Sequence, residues 1–137
     1  MDSSAFVKLL VDEPGSSEVL AWATEAVAVA CSPLAYPEVV SAFSRRLREG
    51  SVAPDLYARI LEELRRQWDD VVSVAVDEIL AGTLAKRYPL SGADAVHLAA
   101  ATTLAQAELP VALCSYDRRL NVAAVSEGLT VLGGSTP

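Results

Sequence analysis

The run Ser91-Gly92-Ala93-Asp94-Ala95-Val96-His97-Leu98-Ala99-Ala100-Ala101 reads as the opening of a buried, alanine-rich helix with a carboxylate in its first turn. On a helix, Asp94 shares a face with Leu98, Ala101 and Ala105, because side chains at such spacings stack on one side. That face is expected to point inward. A carboxylate at its mouth is costly unless something uses the charge, either backbone N–H groups or a metal ion. Ser91 and Asp94 also fit a capping box, and acids favour helix N-termini through the macrodipole. Both readings stand on this window alone.

Working outward, the helix is expected over 93–107. Pro110 then precedes residues 111–115, a short apolar run of strand length, and Asp117 is placed to cap a helix over 118–127 that Gly128 ends. Residues 129–132 read as a last strand before a Gly-Ser-Pro tail. Upstream, a helix over 77–87 stops at Tyr88-Pro89, and 71–76 reads as a short edge strand or extended segment. Pro54 opens an amphipathic helix to about residue 68, with Tyr57, Ile60, Leu61, Leu64 and Trp68 at helical spacing. Such a stripe serves a core, or a dimer or partner surface.

Further back, residues 26–31 (AVAVAC) form a wholly apolar run, the pattern of a parallel strand covered on both faces. Ser32-Pro33 starts the next helix, with Pro33 or Pro37 in its first turn. That helix is expected to bury Tyr36, Val40, Phe43 and Leu47 and to end at Gly50, and Glu38 lies near its N-terminus. A helix over 17–25 follows the loop 12–16, and Asp2 or Ser3 caps a first helix reaching Leu10. Strands alternating with helices in this way predict an α/β fold, a parallel sheet with helices on both faces, and one domain over residues 1–137.

Composition is consistent with that and removes several classes. The chain has 137 residues, 52% hydrophobic and 21% charged. No apolar run reaches the ~18 residues of a membrane span, and no basic start leads into an apolar stretch, so a cytoplasmic location is expected. Cys31 and Cys114 have no paired spacing and His97 is the lone histidine, which argues for buried free thiols and against a zinc site. A net charge of −7 excludes a gripping of nucleic acid by overall attraction. It leaves local basic clusters, among them Arg45 with Arg46 and Arg118 with Arg119.

The acids Asp2, Glu38, Asp94 and Asp117 each fall at the start of a helix, and Glu38 and Asp117 follow directly on apolar strand-length runs. In a parallel sheet such positions gather at the carboxyl edge of the strands. Four carboxylates packed there repel one another, and hard divalent cations, Mg²⁺ or Mn²⁺, are the ions such oxygen ligands hold. Two ions about 3.5–4 Å apart suit phosphodiester hydrolysis. His97 reads as a partly buried helix residue rather than a general base, since metal-bound water needs no imidazole.

These same segments resemble a known family. Met1-Asp2-Ser3-Ser4-Ala5-Phe6-Val7-Lys8, Tyr36-Pro37-Glu38-Val39-Val40-Ser41-Ala42-Phe43, Ala93-Asp94-Ala95-Val96-His97-Leu98 and Ser115-Tyr116-Asp117-Arg118-Arg119-Leu120 are similar, in order and spacing, to the motifs of PIN-domain nucleases, and most of all to VapC-type toxins. The resemblance covers nearly the whole chain. It implies a three-layer PIN-like fold and a Mg²⁺- or Mn²⁺-dependent endoribonuclease acting on tRNA or ribosomal RNA. It further implies a homodimer held inactive by a VapB-type antitoxin, which engages the helical pair within residues 32–68. Carried onto this chain, Asp2, Glu38 and Asp94 are the main metal ligands and Asp117 the fourth acid, with Ser4 and Ser115 as polar residues at the rim. Lys8, Arg45, Arg118 and Arg119 are candidate RNA contacts.

One departure stands out. The family carries an apolar central strand before its first aspartate, and here only Met1 precedes Asp2, so the first central strand is read as missing or truncated. An upstream start is the expectation. The alternative is a PIN-fold module that binds antitoxin or RNA with weakened or no catalysis. A phosphoacceptor domain is disfavoured because no lysine follows Lys86.

Overall fold

The computed structural model describes residues 1–134, so most of the expected Gly-Ser-Pro tail lies outside the described residues. Among the described residues seven helices and four short strands, with one or two helices before each strand, form an α/β fold. They are α1 (Ser3–Leu10), α2 (Ser16–Glu25), β1 (Ala30–Cys31), α3 (Ala35–Arg48), α4 (Pro54–Trp68), β2 (Val72–Ser73), α5 (Glu78–Arg87), α6 (Gly92–Gln106), β3 (Ala112–Cys114), α7 (Arg118–Ser126) and β4 (Thr130–Leu132). Local chemistry explains the helix starts. The side chains of Asp2, Asp77 and Asp117 accept from the backbone N–H three positions on, and Pro54 occupies a first-turn position.

The strands pair in parallel as expected, but in two pairs rather than one ladder: β1 with β2, and β3 with β4. Between the pairs lies the start of the chain. The Met1 ammonium donates to Ala30 O at 2.8 Å on one side, and Asp2 N donates to Cys114 O at 3.1 Å on the other. Thus Met1 and Asp2 stand where a central strand would stand. Beyond them runs an apolar groove of about 520 Å³, lined by residues 26–32 on the β1 side and 109–114 on the β3 side.

This groove explains the main departure from the sequence pattern. Residues 26–31 were expected to be covered on both faces; instead only Ala30–Cys31 joins a ladder, and Ala26, Val27 and Ala28 are exposed. An apolar run is buried only where a neighbour covers it, and among the described residues β2 pairs with Ala30–Cys31 and not with residues 26–28. The buried stripe of α3 is also rotated. Ala35, Val39 and Phe43 form it, Tyr36 and Val40 pack at its margin, and Leu47 is half-buried, while Pro37 occupies the first turn.

Three apolar clusters hold the elements. One joins α1, α3 and α4 around Phe6, Phe43 and Leu64. A second joins α5, α6 and α7 around Leu84, Leu98, Leu113 and Leu120. The third is small, Ala5, Val19 and Cys114, and seats α2 on α1. Helix α6 is buried almost all round, with Ala95 and residues 97–102 inside, so the expected single inward face is too narrow. Both cysteines are buried and free, and burial pushes the Cys114 thiol up to about 11 and raises that of Cys31. No helix is long and apolar enough to cross a membrane among the described residues.

Candidate active site

The site is built on Asp2. Its carboxylate is 3% exposed and is the N-cap of α1, accepting from Ala5 N at 3.0 Å. Ser4 Oγ donates across both carboxylate oxygens, at 2.9 and 3.0 Å, and Ser115 Oγ donates to Oδ2 at 2.7 Å. Three donors thus meet a group with about four acceptor sites. No Lys, Arg or His forms an ion pair with Asp2 among the described residues. A buried carboxylate without a basic partner is an unusual and costly feature.

Ser115 ties the site to the far strand pair. Fully buried at the end of β3, it donates to Asp2 and accepts from Asp117 N at 3.0 Å, while its carbonyl takes the Asn121 amide at 3.0 Å. Ser4 in turn accepts from Tyr116 N at 2.9 Å. The two serines therefore position the carboxylate and the loop beneath it. Ser115→Ala leaves the Asp117 N–H without its acceptor and Asp2 short of one donor. It is expected to cost about 2 kcal/mol in urea unfolding.

Beside Asp2 opens a polar groove of about 280 Å³ whose walls include Ser3, Ser4, Lys8, Glu38, Arg46 and Tyr116. Glu38 enters from the first turn of α3. Its Oε2 accepts from His97 Nε2 at 2.6 Å, and that hydrogen bond is the largest cause holding its carboxyl below the ordinary value, against burial. Arg46, rather than the exposed Arg45, faces this groove. Lys8 sits 4.3 Å over the Tyr116 ring and donates to Glu13 and to Pro14 O. Gly15 (φ +94) is required where the Tyr116 hydroxyl would meet any Cβ at 2.4 Å.

Glu13 clamps both cations, with Lys8 at 3.0 Å and Arg46 at 3.2 Å. Burial works to raise its pKa, but the hydrogen bonds and charges of Lys8 and Arg46 outweigh it, so the carboxyl ionises below 4.5. A folded-state value below the unfolded one stabilises fully above about pH 4.5, and that stability is lost as pH falls through the folded value. The urea midpoint is therefore expected to drop in acid below pH 4.5, less steeply in Glu13→Gln.

Of the remaining predicted residues, the two acids serve as helix caps. Asp94 completes the capping box with Ser91, accepting its hydroxyl at 2.7 Å and Ser91 N at 3.4 Å. Asp117 caps α7, accepting from Leu120 N at 2.9 Å. Arg118 and Arg119 are exposed on the first turn of α7. As these side chains are placed, no group of three or more His, Cys, Asp or Glu that could hold a metal ion is found among the described residues. Like charges repel, and each carboxylate takes the nearest donor instead.

The donor chemistry nevertheless fits a hard divalent cation. Asp2 retains an unused acceptor site and has no basic partner, the hydroxyls of Ser4 and Ser115 lie on its carboxylate, and Glu38 lines the groove that Ser4 also lines. Sequence reading missed His97 and its partner Ser32, and also Arg46 and Tyr116 as groove walls. The lone histidine three positions beyond Asp94 was the one signal available for the first of these.

Comparison with known proteins adds a family and two relatives. The PIN domain family matches residues 1–125. Ribonuclease VapC45 of Mycobacterium tuberculosis (strain CDC 1551 / Oshkosh) is 41% identical, over 95% of this chain and 91% of its own length. Ribonuclease VapC49 of Mycobacterium tuberculosis (strain ATCC 25618 / H37Rv) is 41% identical over the same shares.

Proposed function

Because the chain belongs to the PIN-domain family, and within it to the VapC type, we propose that it is a metal-dependent endoribonuclease, the toxin of a toxin–antitoxin pair acting in the cytoplasm. The observation that carries this reading is Asp2, buried without a basic partner and oriented by Ser4 and Ser115 beside an open polar groove. Asp2, Glu38, Asp94 and Asp117 are the residues that would hold Mg²⁺ or Mn²⁺. A bound divalent ion supplies a lowered pKa for water and stabilises charge on a phosphodiester.

The chain's own groups supply the rest. Ser4 and Ser115 keep the Asp2 carboxylate in one orientation, so no reorganisation is needed when charge develops at the phosphate. Lys8, Arg45, Arg118 and Arg119 contact RNA phosphates, which positions the strand without reading its sequence. The substrate is tRNA or ribosomal RNA. A VapB-type antitoxin engages α3 and α4, whose Leu56 is exposed, and two copies of the chain form a homodimer. A second reading, a non-catalytic module that binds antitoxin or RNA, is favoured by the engagement of Asp94 in its own helix cap.

The test is incubation with a pool of tRNA and ribosomal RNA in Mg²⁺, Mn²⁺ or EDTA, alongside Asp94→Asn. Defined fragments that need metal and disappear in the variant support the nuclease. Cutting in EDTA, or equal cutting by the variant, sinks the acid site, and no cutting at all favours the binding module.

A further inference from the structure

His97 is 4% exposed on the largely apolar interior of α6, where Thr102 is the other buried polar side chain. Both ring nitrogens are nevertheless used. Nδ1 lies 3.1 Å from Ser32 Oγ, and Nε2 lies 2.6 Å from Glu38 Oε2. An ionised carboxylate only accepts, so Nε2 carries the proton, and in a neutral ring Nδ1 then accepts from the Ser32 hydroxyl. Ser32 is 1% exposed, which seals the inner end of this chain, whereas the Glu38 side chain remains 33% exposed toward the groove.

A buried histidine tied at both nitrogens cannot rotate without breaking one bond or the other. Whatever it holds is held in one place. We propose that Ser32 and His97 are positioning residues for Glu38: the chain from serine to imidazole to carboxylate fixes the Oε2 oxygen of a side chain that lines the groove. This rests on reading the groove as a divalent-metal site, because Glu38 is worth positioning only for a ligand or a reacting group. A purely structural role, a polar tie between α3 and α6, predicts instead that any side chain of similar size serves.

Mn²⁺ affinity measured by calorimetry on the full chain separates these. His97→Leu is expected to weaken Mn²⁺ binding about 10–100-fold, as loss of a residue orienting a ligand does. His97→Gln, which retains a donor near Nε2, is expected to stay within about threefold, and Ser32→Ala to fall between. Wild-type affinity in a folded His97→Leu chain, or glutamine no better than leucine, overturns the proposal. If the leucine variant does not fold, Ser32→Ala decides, and wild-type affinity there overturns it. The ¹³C resonance of the Glu38 carboxyl supplies a readout without metal: single and sharp in wild type and His97→Gln, shifted or broadened in His97→Leu. Should the wild type bind no Mn²⁺, the metal reading fails by itself. The carboxyl resonance then decides the positioning, and a resonance unmoved by His97→Leu overturns it.

Discussion

Asp2→Asn is expected to reduce RNA cleavage about 10³-fold while leaving the Tm unchanged or raised. The two halves of that result have separate causes. Asparagine is as good an N-cap as aspartate, so the bond from Ala5 N, at 3.0 Å, has an acceptor of the same shape. Losing the charge also removes a buried carboxylate that no basic side chain compensates, which tends to stabilise and offsets the acceptor that the Ser115 hydroxyl loses when Oδ2 becomes an amide nitrogen. The charge itself is what the proposed metal and the developing phosphate charge require. Losing a Lewis-acid contribution of about 4 kcal/mol corresponds to about three orders of magnitude in rate. Rates on a defined RNA, with thermal unfolding of the same samples, check both halves. Cleavage within tenfold of wild type shows that Asp2 is a cap and nothing more. Lost cleavage with a large fall in Tm assigns the effect to folding.

Ser115→Ala is a useful companion, because it disturbs the same carboxylate from outside. The two variants differ in sign on stability. Asp2→Asn relieves a buried charge, and Ser115→Ala strands a buried donor and an under-solvated carboxylate. Reduced cleavage in both, with opposite movements in stability, is the pattern of a site that costs the fold something to maintain.

How far the sequence led follows from the range of each interaction. Asp2, Asp77, Asp117 and the pair Ser91 and Asp94 act on backbone groups three residues away, and all of these caps but Asp77, which the pattern makes the first residue of its helix, were legible from spacing. The pairing of β1 with β2 and β3 with β4 was legible only as parallel strands, since nothing local shows that Met1 and Asp2 alone stand between the pairs. The run 26–31 was misread for that reason: its composition reports what a strand there needs, and its exposure reports what lies next to it. On α3 the stripe is one residue out of phase, centred on Val39 with Tyr36 and Val40 at its margin, because which side of an apolar-rich helix faces inward is set by the elements packed against it.

The site divides in the same way. Asp2, Ser4 and Ser115 were recognisable from their motifs, and the structure brings them into direct contact across more than a hundred residues. Asp94 was open to a capping and a metal-holding reading, and its side chain forms the capping box. The contact between His97 and Glu38 joins residues 59 apart and carries no local signature. A lone histidine on an apolar helix invites the reading of a core residue. It is one, but its polar atoms make it more than filler.

The apolar groove between the strand pairs leads to the second large effect, an increase in stability on adding a strand in cis. Met1 already bonds to Ala30 O and Asp2 to Cys114 O, so residues placed ahead of Met1 would run between β1 and β3 in the same direction. Four residues at about 3.3 Å each span roughly 13 Å, enough to lie along 26–29. Burying each Val or Ile contributes about 1.5–3 kcal/mol, and ordering it costs about 1–2 kcal/mol, so four together are expected to add about 2–4 kcal/mol. At roughly 3 °C per kcal/mol for a chain of this size, the Tm should rise by about 6–12 °C. The check is thermal unfolding of variants carrying Val-Ile-Val-Val or Val-Pro-Asp-Val ahead of Met1, with hydrogen exchange over 26–31 and 111–114. The first should gain stability and slow exchange on both edges. The second buries a charge and lacks one N–H donor, so it should do neither. Equal effects from the two would mean that the added residues lie outside the groove. A gain in the first alone means that the two open edges act as complementary halves of one sheet, and that the exposure of Val27 is set by its neighbour rather than by its own sequence.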